Sequence, residues 1–253
     1  MLSEKPWTIE RVAMTFVAMA AFLILFGTVQ VATLKAAGLA KPDVNSLTYL
    51  VFLLLSPQSC VLAATAFVLW WCELGWLNAF GFSKWSVKRS LFWGTLVAIV
   101  FTPLGGLLKS ASVIVFHFLT RRVPVEQEAI QVFEDTHNPV NRVFLVLFAV
   151  AMAPLAEEIL FRGILYPAIK RLGYPKIALW GSAAVFAAIH ASWPIFVPLV
   201  VLGVALALLY EHTDNLLASI TAHAVFNAIN LVVFSFSGGP PHAAQGWFHL
   251  FGS

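Results

Sequence analysis

The chain has 253 residues, of which 60% are hydrophobic and only 11% charged, and its formal net charge is +3. A soluble domain is about one-quarter charged, so this composition, with a mean hydropathy of +0.86, excludes an ordinary soluble fold and belongs with polytopic membrane proteins. A span takes about 20 residues, so about seven or eight spans use most of the chain and leave no room for a separate soluble domain.

The opening stretch "MLSEKPWTIERVAMTFVAMAAFLILFG" contains an apolar run too long for a signal-peptide core. It also lacks a clean small-residue cleavage site, and is expected to be a retained first span. Apolar runs follow one another along the chain at 11–33, 48–72, 90–118, 141–168, 177–191, 195–210 and 215–236. Cys60 and Cys72 lie in or beside the second run, which suggests neither a disulfide framework nor a cysteine metal site. The third run contains "TPLGG", Thr102 to Gly106, and Pro103 with two glycines is expected to kink or break it. The fifth and sixth runs are short for full spans and are joined by "ASWP", ending at Pro194.

The basic residues sit mainly in short loops, which points to membrane topology and away from nucleic acid. With the N-terminus inside, inner loops carry Lys5, Arg11, Lys84, Lys88, Arg89, Lys170, Arg171 and Lys176, and outer loops carry Lys35, Lys41, Arg121, Arg122 and Arg142. That excess predicts an inside N-terminus. The main polar interruption is "PVEQEAIQVFEDTHNP", 124–139, in which Val125, Ile130 and Phe133 form one apolar edge of a short helix. Two readings stand for it: an interfacial helix on the headgroups, or a lid over a site.

The fourth run carries "APLAEEILFR", 153 to 162, with Glu157, Glu158 and Arg162 inside apolar sequence. A charge at the bilayer centre costs about 2.5–3.5 kcal/mol on insertion scales, so these groups need partners. Glu158 and Arg162 stand i, i+4, the spacing and order for a pair on one helix. Glu157 is rotated by about 100° and needs a partner elsewhere. Pro154 just before them is expected to distort the helix locally. Downstream, His190 ends "FAAIH", and His223 and Asn227 occur in "TAHAVFNAIN", sharing one helix face.

Taken singly, a membrane histidine is ordinarily a packed residue, an asparagine is ordinarily helix glue, and a Glu–Arg pair is ordinarily structural. Together, Glu157, Glu158, Arg162, His190, His223 and Asn227 provide a general base, polarising imidazoles and an amide donor, which suits water attacking an amide carbonyl. His117 and Lys109 in the third run could line a cavity or sit near an interface. His137, His212, His242 and His249 fall in loops or the tail, where solvation explains them. The nine Trp and 22 Phe suit interfacial belts and lipid-facing surfaces.

"EEILFR" resembles the EExxxR motif of the CAAX protease and bacteriocin-processing (CPBP, Abi) family of intramembrane proteases. "FAAIH" resembles its FxxxH motif and "HAVFN" its HxxxN motif, in the same order, over roughly residues 125 to 235. The resemblance implies that Glu157 activates the attacking water, helped by His190. It also implies that His223 and Asn227 hold the oxyanion, while Glu158 and Arg162 orient the first glutamate and lock the helix. A metal reading competes, with Glu157, His190 and His223 as ligands of a divalent ion such as zinc; the family's structural picture places a metal-free glutamate mechanism ahead of it.

The expectation is therefore an all-α polytopic bundle of about seven or eight spans. Its N-terminal helices occupy 1–120, its catalytic membrane core 121–236 and its tail 237–253. Its partners would be the lipid bilayer and a membrane-associated protein or peptide, and its location a bacterial cytoplasmic membrane as a multi-pass protein. The CAAX name is a family label, not a statement about this substrate. The rival readings are a non-enzymatic scaffold or bacteriocin-immunity-type protein, and a proton or ion transporter. Against the transporter stands the lack of an inverted repeat.

Overall fold

A computed structural model describes residues 2–82, 86–122 and 128–236. The described residues form helices and connecting turns, with no strand among them. In chain order the helices are α1 (Ile9–Ala37), α2 (Leu47–Leu54), α3 (Pro57–Trp71), α4 (Trp76–Phe80) and α5 (Val87–Thr120). They continue as α6 (Glu128–Asp135), α7 (Pro139–Arg171), α8 (Pro175–Ala188), α9 (Trp193–Thr213) and α10 (Leu216–Phe236).

Five of these, α1, α5, α7, α9 and α10, are long and apolar enough to cross a membrane, and the bent pair α2–α3 makes six if counted as one span. Among the described residues, then, five or six helices meet that measure, against the seven or eight spans expected from length. The reasons are local. The run 48–72 is broken by Ser56–Pro57 and bends by 42°. The Ser56 hydroxyl accepts from the Ser59 amide and Pro57 opens α3, a serine cap with proline in the first turn. The fifth run becomes α8, only 14 residues long.

The break expected at "TPLGG" does not occur. α5 runs through Pro103 as one helix. Thr102 donates its hydroxyl to the Ala98 carbonyl at 2.8 Å, and a bilayer tolerates such a proline where side chains take up backbone groups. α5 packs on both α9 and α10. At Gly94 a methyl group would stand 2.6 Å from the Ala218 carbonyl oxygen, so the two backbones cross in direct contact.

On one side of the bundle the N-terminal segment is strapped across the ends of α7 and α9. Lys5 is only 4% exposed and its Nζ lies 2.7 Å from Asp214 Oδ1, which also accepts from the Ser3 amide at 3.1 Å. The Leu2 amide donates to Glu211 Oε1, Tyr166 donates its hydroxyl to Glu211 Oε2 at 2.7 Å, and Lys170 Nζ donates to the same carboxylate. Trp7 is buried against Phe80 of α4. On the opposite side, Asn45 accepts from the His137 and Asn138 amides. There α6 sets Phe133 against Phe234 of α10 and under Arg142. Of the apolar edge expected for this segment, Phe133 is buried, Ile130 is half-buried, and Val125 lies outside the described residues.

Candidate active site

The site is built on α7, α8 and α10. α7 is not a uniform helix: Phe148–Met152 and Ile159–Leu165 are π-helical, and Ala153–Glu158 between them is α-helical. Pro154 has no N–H to give to the turn before it, and the first π segment ends two residues ahead of it, which is the distortion expected there. π segments within α-helices occur often at functional sites. Here they bracket the two glutamates, and the second contains Arg162.

Glu158 and Arg162 are buried, at 0% and 1% exposure. Arg162 Nη1 donates to Glu158 Oε1 at 2.9 Å. The same oxygen accepts from His223 Nδ1 at 2.9 Å. An ionised carboxylate only accepts, so the shared oxygen fixes the proton on His223 Nδ1 and leaves Nε2 directed the other way. His223 Nε2 lies 3.8 Å from Glu157 Oε2. Glu157 thus finds the separate partner its rotation required, and it is more exposed than Glu158.

His190 stands just beyond the end of α8. Its Nδ1 donates to the Phe186 carbonyl at 2.8 Å, since a carbonyl can only accept; this leaves Nε2 as the ring's acceptor. The next residue, Ala191, has φ 48°, a left-handed conformation costing a non-glycine residue about 1 kcal/mol. It ends the helix and turns the chain toward α9. The Asn227 Nδ2 donates to the Ala149 carbonyl at 2.9 Å, within the first π segment, which leaves the second amide hydrogen available.

The Phe186 ring joins these groups. It lies 5.0 Å from the His190 ring and 5.7 Å from the His223 ring, both edge-on, and 4.4 Å from the Arg162 guanidinium. The motif phenylalanine had no role from sequence; its i−4 spacing from His190 was the one visible signal. Glu158 contacts both Arg162 and His223, and the far side of the His223 ring in turn lies toward Glu157.

Among the described residues, no three His, Cys, Asp or Glu side chains gather into a group that could hold a metal. Of the other polar residues, Lys109 is exposed. His117 sits in the last turn of α5 with its Nδ1 3.2 Å from the Arg122 carbonyl, an end-of-helix position. His242 and His249 lie outside the described residues.

The fold and site together define a polytopic helical membrane protein with a buried Arg–Glu–His centre. Residues 139–229 match the model of a family described as type II CAAX prenyl endopeptidase Rce1-like, in agreement with the three motifs. The matched segment begins at the first residue of α7 and ends just after Asn227, so it holds every site residue. The chain is also similar to the uncharacterized protein YpbD of Bacillus subtilis (strain 168), 33% identical over 88 residues, which is 33% of this chain. The match spans 42% of that relative's length. No solved structure matches the chain.

Proposed function

We propose that the chain is an intramembrane endopeptidase that hydrolyses a peptide bond in a membrane-associated protein or peptide. The observation that carries this reading is the placing of His223 between Glu157 and the buried Glu158–Arg162 pair, with Nδ1 held at 2.9 Å and Nε2 turned to Glu157 at 3.8 Å. A merely structural ion pair does not need a second carboxylate across an imidazole.

The chemistry follows from which atoms remain uncommitted. Glu157 is the carboxylate with no short hydrogen bond to the protein, and it acts as general base. It takes a proton from water while the water oxygen adds to the scissile carbonyl carbon; the Nε2 of His190 accepts the other water hydrogen and orients the attack. The C=O electron pair becomes an oxyanion. The free amide hydrogen of Asn227 faces it, and so does His223 Nε2, which donates when the ring carries a second proton there beside the Nδ1 proton held by Glu158. The intermediate collapses, the C–N bond breaks, and Glu157 returns its proton to the leaving amine. The products are an amine and a carboxylic acid, which then loses its remaining proton to water. Arg162 and Glu158 hold the imidazole in place, as the carboxylate does behind a catalytic histidine elsewhere.

The proposed setting is a multi-pass protein of a bacterial cytoplasmic membrane, in keeping with the similarity to a Bacillus protein. The test is cleavage of a membrane-peptide library by purified protein in detergent, comparing the wild type with Glu157→Ala. Cleavage by the wild type that is absent in the folded variant supports the reading. Equal cleavage by both overturns it.

A further inference from the structure

Hydrogen bonding alone does not fix the plane of the Arg162 guanidinium. One nitrogen, Nη1, is bound to Glu158, while the buried Nε and Nη2 have no hydrogen-bond partner among the described residues. Packing holds the group as well. The Phe186 ring lies 4.4 Å from the guanidinium carbon, a desolvated cation–π contact, and α9 approaches it at Gly203. A Cβ placed there would stand 3.0 Å from Arg162 Nη2 and 2.9 Å from the Ala183 Cβ, closer than ordinary van der Waals contact. The slot has no room for one methyl group.

The orientation of this group reaches the proposed chemistry through a single atom. Glu158 Oε1 accepts from both Arg162 and His223, and the other His223 nitrogen faces Glu157. A shifted guanidinium therefore pulls Glu158, turns the imidazole and changes its distance from Glu157. We propose that Gly203, together with Phe186, is a positioning residue: their packing sets the plane of Arg162 and, through Glu158, the orientation of His223. Neither residue needs to touch the substrate. This deepens the protease reading, and its kinetic half rests on that reading.

The experiment uses the full chain in lipid nanodiscs, with wild type, Gly203→Ala, Gly203→Ala combined with Ala183→Gly, and Phe186→Leu. Ala183→Gly removes the shortest of the three contacts and leaves those with the Ala183 Cα and Arg162 Nη2, both at 3.0 Å, so restoration by it would assign the effect to the Ala183 methyl group alone. Each protein is assayed for kcat and KM on a cleaved membrane peptide, and for the 15N shifts of the His223 ring, which report its protonation pattern. Gly203→Ala is expected to lower kcat about tenfold to a hundredfold with KM little changed and to move the His223 shifts. Ala183→Gly is expected not to restore either, and Phe186→Leu is expected to act in the same direction. Restoration by Ala183→Gly, or unmoved His223 shifts in the Gly203→Ala protein, overturns the proposal. Should Gly203→Ala fail to fold, Arg162→Lys, which keeps a cation for Glu158 but loses the guanidinium plane, decides by the same readouts: unmoved His223 shifts in it overturn the proposal. Should the wild type cleave nothing, the protease reading falls, and the His223 shifts alone decide the positioning.

Discussion

His223 and Glu158 stand 65 residues apart in sequence and meet at 2.9 Å in a fully buried contact. This contact makes one unit of two motifs that lie on different helices. It also distinguishes the two adjacent glutamates: Glu158 carries the ion pair and the imidazole, and Glu157 is left with its carboxylate toward the more open side of the site.

Glu157→Gln is expected to abolish cleavage with the fold intact. Glu157 has His223 at 3.8 Å and no shorter protein contact, so its neutral isostere leaves the packing unchanged. A general base contributes about 10²- to 10⁴-fold, and the loss should fall on kcat. Size-exclusion profiles and melting temperatures matching the wild type would confirm that the loss is chemical. A Glu157→Gln protein with unchanged kcat would remove the residue from the mechanism.

Arg162→Met is expected to destabilise the protein by about 3–5 kcal/mol, because it strands the buried Glu158 without its cation. Arg162→Met combined with Glu158→Gln should be less damaging, since no unpaired charge remains. Thermal melting in detergent distinguishes the two cases. If the double variant melts lower than the single one, the ion pair is not what sets the cost.

A third outcome concerns Asn227. Asn227→Ala removes both the donor to the Ala149 carbonyl and the amide hydrogen that faces the oxyanion in the proposed mechanism. Loss of one such donor costs about 10²- to 10³-fold in kcat. Asn227→Asp keeps the side-chain shape but cannot donate to the Ala149 carbonyl and sets a negative charge where the oxyanion forms, so it is expected to be no better than alanine. A fully active aspartate variant would make Asn227 helix glue only.

Much of the core was legible because intramembrane polar residues are costly and so conspicuous. Each of the seven apolar runs became a helix or a bent pair, and the i, i+4 spacings of Glu158–Arg162 and His223–Asn227 placed four side chains on two faces. Two kinds of feature were not legible. Pro103 looked like a kink or a break, yet α5 continues through it as one helix packed on α9 and α10, contacts that the sequence does not show. The N-terminal strap was invisible for a different reason. Lys5 counted as one more inside charge, yet it pairs with Asp214 across 209 residues. No local pattern announces a contact of that separation. The slot around Arg162 is of the same kind, since Gly203 differs from its apolar neighbours only by lacking a methyl group.

The strap carries the pH dependence. Burial works to raise the Asp214 carboxyl, but the hydrogen bonds from Lys5 and Ser3 outweigh it, and its pKa lies below the ordinary 3.8. A carboxylate depressed in the folded state favours folding above its unfolded value, and that contribution is lost as the pH falls through the folded one. The difference in melting temperature between wild type and Asp214→Asn should therefore be constant from neutral pH down to about 4, then shrink as the pH falls further. Asp214 is partly solvated, so the effect should also weaken with salt. Lys5→Met tests the same bond from the other end: it should lower the melting temperature at neutral pH and largely erase the further effect of Asp214→Asn when the two are combined. A difference that persists unchanged at a pH of about 2, below the ordinary carboxylate range, or that survives Lys5→Met, would mean that the N-terminal segment is held by Trp7 and its apolar neighbours alone.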